Sequence, residues 1–165
     1  MNYAAADGLM RLAEGEDLNW KPEIGENWLT LGQLLKHVSD AAGSAFHGFA
    51  TGDWGLPEGV EPKDIPMEYM LPPAEKFPTV ESVAEARKLL AEDKEVALAS
   101  LAEVTDDRLD SEPAPAPWDP TPTPLGYRLL QMVEHLANHK AQLFYYLKLM
   151  GKPVNTGHLY GMPGQ

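Results

Sequence analysis

The sequence contains no cysteine, and this absence removes several kinds of chemistry at once. Without a thiol the chain can form no disulfide, can bind no metal through a thiolate and has no cysteine nucleophile. Any reaction at sulfur would therefore need a thiol that another molecule supplies.

Basic residues and long apolar runs are also scarce. Thirteen Lys and Arg stand against 25 Asp and Glu, which gives a formal net charge of −12. A nucleic-acid partner needs a basic face to contact its phosphates, so this charge argues against one. No apolar run approaches the length that spans a bilayer, and the N-terminal residues lack the basic and apolar regions of a signal peptide. We therefore expect a cytoplasmic protein with no membrane partner.

Prolines divide the chain. Twelve of the 15 fall in two stretches, 51–78 and 110–124, which we expect to be connections because proline interrupts a helix interior. The length of 165 residues and the hydrophobic content of 44% are typical of one globular domain, here 1–165.

The segments between these connections repeat their apolar residues with the helical period, and none alternates as a strand does. We predict an all-α fold, a four-helix bundle with a long crossover connection between helices 2 and 3. That connection is long enough to cross the bundle or to cover part of a site. The predicted helices cover about 3–16, 30–50, 79–104 and 124–150.

Local signals mark several helix ends. Thr30 and Gln33 have the spacing of a capping box at the start of helix 2, and Gly52 is expected to end that helix. Thr123 is the expected N-cap of helix 4, with Pro124 in its first turn.

All four tryptophans fall in connections. We interpret most of them as residues that pack proline-rich loops onto the helices, because burying large rings orders such loops. The alternative is an aromatic rim around a pocket. The four tryptophans are Trp20, Trp28, Trp54 and Trp118.

Three histidines have the spacing of a metal site. His135 and His139 lie four apart in helix 4, so both project from one face, and His37 lies at the inward edge of helix 2. One helix that supplies a pair and another that supplies a third give three nitrogen ligands and an open coordination position. From spacing alone, this site and three separately hydrogen-bonded buried histidines are comparable alternatives. His47 and His158 project elsewhere.

Other metal sites fit the sequence less well. A zincin needs glutamate directly after its first histidine, and Leu136 stands there. A di-iron bundle needs glutamate three residues before a histidine, and none of the five histidines has one. An oxygenase-type triad would require Asp40 or Glu134 in place of His37. Asp40 could also orient His37, although a solvent-facing position is the simpler expectation.

Two parts of the sequence resemble the DinB/YfiT-like superfamily. One is the WLTLGQLLKH run that ends at His37, and the other is the HLANHKAQ run from His135 to Gln142, with LMGKP following at 149–153. The match covers helices 2 and 4 and agrees with the overall length and helix order.

The resemblance implies a four-helix bundle, often homodimeric, that holds a divalent metal ion on a histidine triad. Carried to this sequence, the ligands are His37, His135 and His139. The resemblance does not distinguish Zn, Ni, Fe and Mn, and we favour Zn or Ni. Gln142 matches a position that is commonly Gln in the family, and we expect of it only a helix-surface or interhelical hydrogen bond.

Characterised members include transferases and isomerases that use low-molecular-weight thiols. This resemblance favours an enzyme that transfers an external thiol to a small electrophilic substrate. Alternatives are a hydrolase with a metal-bound water as nucleophile and a non-enzymatic, metal-stabilised dimer with a binding or stress role. No catalytic residue is identified. Tyr127 and Tyr146 lie near the histidine edge of helix 4, but packing is their expected role.

Overall fold

The computed structural model describes residues 1–61 and 64–162. Within these ranges the regular structure is helical, apart from two isolated bridges, so the all-α prediction is confirmed. None of the helices in the described ranges is both long and apolar enough to cross a membrane. The helices are α1 (Asn2–Met10), α2 (Leu31–Ser39), α3 (Gly43–Thr51), α4 (Met67–Met70), α5 (Val83–Ala102), α6 (Asp106–Ser111), α7 (Leu125–Leu149) and α8 (Thr156–Tyr160).

The longest helices, α5 and α7, organise the packing. Both contact α1, α2 and α3, so the four segments predicted as helical come together in space. One apolar cluster joins α1, α2, α5 and α7 around Leu9, Leu34 and Leu143. A second joins α3 to the first turns of α7 around Phe46 and Leu129.

The prediction of one helix over 30–50 is wrong, because the chain breaks between α2 and α3. Asp93 of α5 explains the break. Its Oδ1 accepts a 2.7 Å hydrogen bond from the Gly43 N–H and so caps α3 from outside the segment. Its Oδ2 accepts a 2.7 Å bond from the Tyr3 hydroxyl. A Cβ on Gly43 would lie 2.5 Å from the Asp93 backbone oxygen, so only glycine permits this approach.

Other predicted boundaries hold or shift slightly. The capping box of Thr30 and Gln33 is present, and Gly52 ends α3 in the left-handed conformation. α5 begins after Ser82, whose hydroxyl accepts from the Glu85 N–H at 3.1 Å, rather than at 79.

The two remaining predicted helices also differ at their ends. α1 ends at Met10, well before residue 16, and Gly15–Asn19 forms a separate 3-10 turn. Pro124, not Thr123, occupies the N-cap position of α7.

The tryptophans pack as two pairs. Trp20 and Trp28 lie edge-on to Tyr146, with ring centroids at 5.4 and 6.1 Å. Trp54 and Trp118 lie 5.9 Å apart, also edge-on. These contacts agree with the interpretation that tryptophans fasten the connections onto the helices.

Candidate metal centre

Three histidines, one from α2 and two from α7, lie close together. His37 comes from α2, and His135 and His139 come from successive turns of α7. One ring nitrogen from each residue lies within 4.8 Å of the other two, and Nε2 of His37 is 3.0 Å from Nε2 of His139. The structure therefore brings the predicted triad together.

Burial keeps the three imidazoles neutral. Desolvation lowers the pKa of His37 to about 4, with the charges of His139, His135 and Lys36 adding to the effect. Desolvation and His139 lower the pKa of His135 to about 4, and burial also lowers the pKa of His139. At pH 7 each ring therefore keeps a lone pair, which is the form that binds a metal ion.

Gln142 orients the His139 ring. Its side-chain oxygen lies 3.0 Å from His139 Nδ1, and an amide oxygen can only accept. Nδ1 thus carries the proton, and the lone pair of Nε2 faces His37. This bond joins residues three apart within α7, so of the two expected roles Gln142 has the helix-surface hydrogen bond and not the interhelical one.

The arrangement fits a divalent ion. Zinc–nitrogen bonds of about 2.0–2.1 Å in a tetrahedral site place nitrogens about 3.3 Å apart, close to the 3.0 Å between His37 and His139. Across the described residues, the cluster of possible metal ligands is made of histidines alone. Asp40 is exposed and pairs with Lys36, and Glu134 is exposed, so an oxygenase-type triad does not fit.

The other residues considered from the sequence are not members of the histidine cluster. His47 is half-exposed and 3.8 Å from the Asp53 carboxylate, and His158 belongs to the capping box of α8. Tyr127 is exposed, whereas Tyr146 is buried between tryptophans.

The crossover connection also reaches the triad, through residues that the sequence analysis missed. The Phe77 ring packs edge-to-face on His37, with centroids 5.3 Å apart. The Gln33 amide donates to the carbonyl oxygens of Ala74 and Phe77 at 2.8 and 3.0 Å. The capping-box signal identified Gln33 but gave no hint of this second role.

The described residues thus form a helical protein in which imidazoles from two helices make a possible metal site. The sequence model of the DinB superfamily matches residues 2–143, so the chain belongs to that superfamily. The matched region includes the three histidines and Gln142. Comparisons with curated proteins and with solved structures gave no match.

Proposed function

We propose that this protein is a metal-dependent enzyme that binds a divalent ion on His37, His135 and His139. It transfers an external low-molecular-weight thiol to a small electrophile. The observation that supports this proposal is the convergence of three neutral imidazole nitrogens within 4.8 Å, in a chain without cysteine. Such a ligand set holds an ion but leaves the sulfur to a cosubstrate.

Bound to the neutral imidazoles of His37, His135 and His139, a divalent ion would keep its positive charge and would favour the thiolate form of the external thiol. In the transfer, a sulfur–carbon bond forms while the bond from carbon to the leaving group breaks. The leaving group keeps the electron pair, and the thiol proton passes to solvent. The chain contributes the neutral imidazoles, and Gln142 fixes the direction of one of them.

The first test is metal uptake. The protein is stripped with a chelator, and Zn²⁺ or Ni²⁺ is titrated into the wild type, His139→Ala and His47→Ala. We expect one ion per chain for the wild type and for His47→Ala, and at least 100-fold weaker uptake for His139→Ala, because one of three ligands is lost. Equal uptake by all three proteins would contradict the metal centre.

The second test is activity. The metal-loaded protein is incubated with a panel of low-molecular-weight thiols and a generic electrophile, and conjugate formation is followed by mass spectrometry. We expect conjugation that depends on the metal and disappears in His139→Ala. Ester or amide cleavage without conjugation would replace the proposal with a hydrolase. Neither reaction, with the ion still bound, would replace it with a non-enzymatic binding protein.

We also propose a homodimer. The family resemblance favours one, and α7 carries a face of exposed or half-buried apolar residues, spaced by three or four, that fits a second copy of this face. We expect Leu130→Glu to weaken the dimer in sedimentation velocity, whereas Leu98→Glu on α5 should not. A monomeric wild type would contradict this proposal. The face consists of Leu130, Val133, Ala137, Ala141 and Tyr145.

A further inference from the structure

The rings of the triad are oriented by different means. His139 has a hydrogen bond from Nδ1 to Gln142. His37 is the one triad member outside α7, and within the described part of the chain its ring has no hydrogen-bond partner other than His139. Its remaining ring contact outside the triad is with Phe77, at an interplanar angle of 88°. Phe77 is therefore the ring outside the triad that can limit the orientation of the His37 imidazole.

Phe77 is itself fixed by side chains from two other segments. Gln33 donates two hydrogen bonds, to the carbonyl oxygens of Ala74 and Phe77, across 41 and 44 residues of sequence. Asn27 Oδ1 accepts from the Ala74 N–H at 2.9 Å. The turn that carries Phe77 is thus tied to the start of α2, one turn before His37.

We propose that Phe77 is a positioning residue of the metal centre and that Gln33 holds it in place. This inference rests on the proposed metal binding. The Phe77 ring limits rotation of the His37 imidazole and covers one side of it, so the His37 nitrogen stays aimed at the nitrogens of α7. Loss of a group that orients a metal ligand costs about 10- to 100-fold in metal affinity.

The oxygen and the nitrogen of the Gln33 side-chain amide have separate roles. Its oxygen accepts from the Thr30 N–H at 2.8 Å and completes the capping box of α2. Its nitrogen makes the two bonds to the 74–77 turn. Gln33→Glu therefore keeps the acceptor and removes the donors, whereas Thr30→Ala removes the other half of the box and leaves the donors in place.

The experiment measures Zn²⁺ affinity by competition with a chromophoric chelator and the rate of Zn²⁺ release into excess chelator. We expect Phe77→Ala to weaken affinity about tenfold and to speed release by a similar factor. Gln33→Glu should move both quantities in the same direction by a smaller factor. The matched controls are Thr30→Ala and Leu71→Ala, the latter a 68% exposed side chain in the same connection. Both controls should stay within about twofold of the wild type.

Amide hydrogen exchange at Ala74, in the metal-free protein, tests the Gln33 contacts separately. We expect faster exchange in Gln33→Glu and unchanged exchange in Thr30→Ala. If the wild type binds Zn²⁺ and Phe77→Ala binds and releases it equally well, the inference is overturned while the metal centre stands. If the wild type takes up no ion, the proposed function fails and this inference fails with it.

Discussion

In each of the two proline-rich connections a polar side chain from a helix donates hydrogen bonds to the backbone, but the two side chains differ in charge and burial. Gln33 of α2 holds the 74–77 turn with a neutral, partly buried amide. Arg128 of α7 holds the 112–124 segment with a guanidinium that is 2% exposed. Prolines donate no backbone hydrogen bond, so in both connections a side chain supplies the missing donors.

Arg128 makes the more extensive set of contacts. It donates to the carbonyl oxygens of Ala114, Asp119 and Thr121 at 3.0, 3.2 and 2.9 Å, and it lies 3.0 Å from the Asp119 carboxylate. None of these partners contacts the triad, whereas the turn held by Gln33 carries Phe77. We therefore expect the Arg128 contacts to affect stability and the Gln33 contacts to affect the candidate site.

The largest expected effect is the loss of stability when the Arg128 contacts are removed. Arg128→Met leaves several carbonyl oxygens without their charged donor, so we expect the free energy of unfolding to fall by about 3 kcal/mol. The matched control is Arg11→Met, an exposed arginine paired with Asp7, where a loss below about 1 kcal/mol is expected. Urea denaturation measures both. Similar losses in the two variants would remove the contrast.

Metal binding should stabilise the protein through the triad, independently of the Arg128 contacts. At a free ion concentration about 100 times its Kd, binding stabilises the folded state by about 2.7 kcal/mol. We expect this gain in the wild type and undiminished in Arg128→Met, because Arg128 shares no contact with the triad. In His139→Ala, at the same ion concentration, the gain should fall to about 0.4 kcal/mol or less. Thermal unfolding with and without Zn²⁺ measures the gain in stability. Loss of this gain in Arg128→Met would show that the triad and the Arg128 contacts are coupled.

Gln33→Glu should have a smaller effect on stability than Arg128→Met. Two neutral hydrogen bonds are lost at a partly buried position, so we expect the free energy of unfolding to fall by about 1–2 kcal/mol. The same urea experiment measures this loss. A loss as large as that of Arg128→Met would mean that the Gln33 contacts serve the whole fold rather than the site.

The smallest expected effect is a difference in acid sensitivity. Hydrogen bonds from Thr121 and the Arg128 guanidinium hold the pKa of the Asp119 carboxyl below its usual value. A lowered folded-state pKa adds stability that is present above the unfolded pKa, near 3.9, and is lost as pH falls through the folded value. Gln33 does not titrate.

We therefore expect acid to loosen the 112–124 segment before the 74–77 turn. The reporters are the amide of Ala114, which donates to the Thr123 carbonyl, and the amide of Ala74. Between pH 5 and 2 the protection of Ala114 from hydrogen exchange, corrected for the intrinsic rate, should fall further than that of Ala74. Asp119→Asn should abolish the difference, and its persistence in that variant would assign the acid sensitivity to another group.

Helices whose sequence signal is local and continuous could be predicted closely. The apolar stripe of helix 4 runs without interruption, so the predicted range 124–150 differs from α7 by one residue at each end. The break between α2 and α3 could not be predicted, because the group that caps α3 is Asp93, 50 residues away from Gly43. A partner at that separation leaves no trace in the periodicity of 30–50.

The same distinction applies to the candidate site. His135 and His139 follow from helical spacing, and His37 follows from its place on the inward edge of α2. Phe77 could not be predicted, because its position depends on the Gln33 side chain reaching across 44 residues to a turn with no periodicity of its own.

The separation of the triad in the chain has a kinetic consequence. His37 and His139 lie 102 residues apart, and an ion shared by them would close a loop that contains both connections and α5. Closing a loop of about 100 residues in an unfolded chain would cost chain entropy equivalent to about 4.7 kcal/mol, so the unfolded chain would not hold the ion. α2 and α7 must meet before such an ion can bind, so it would join late in folding. It would then slow unfolding more than it speeds folding.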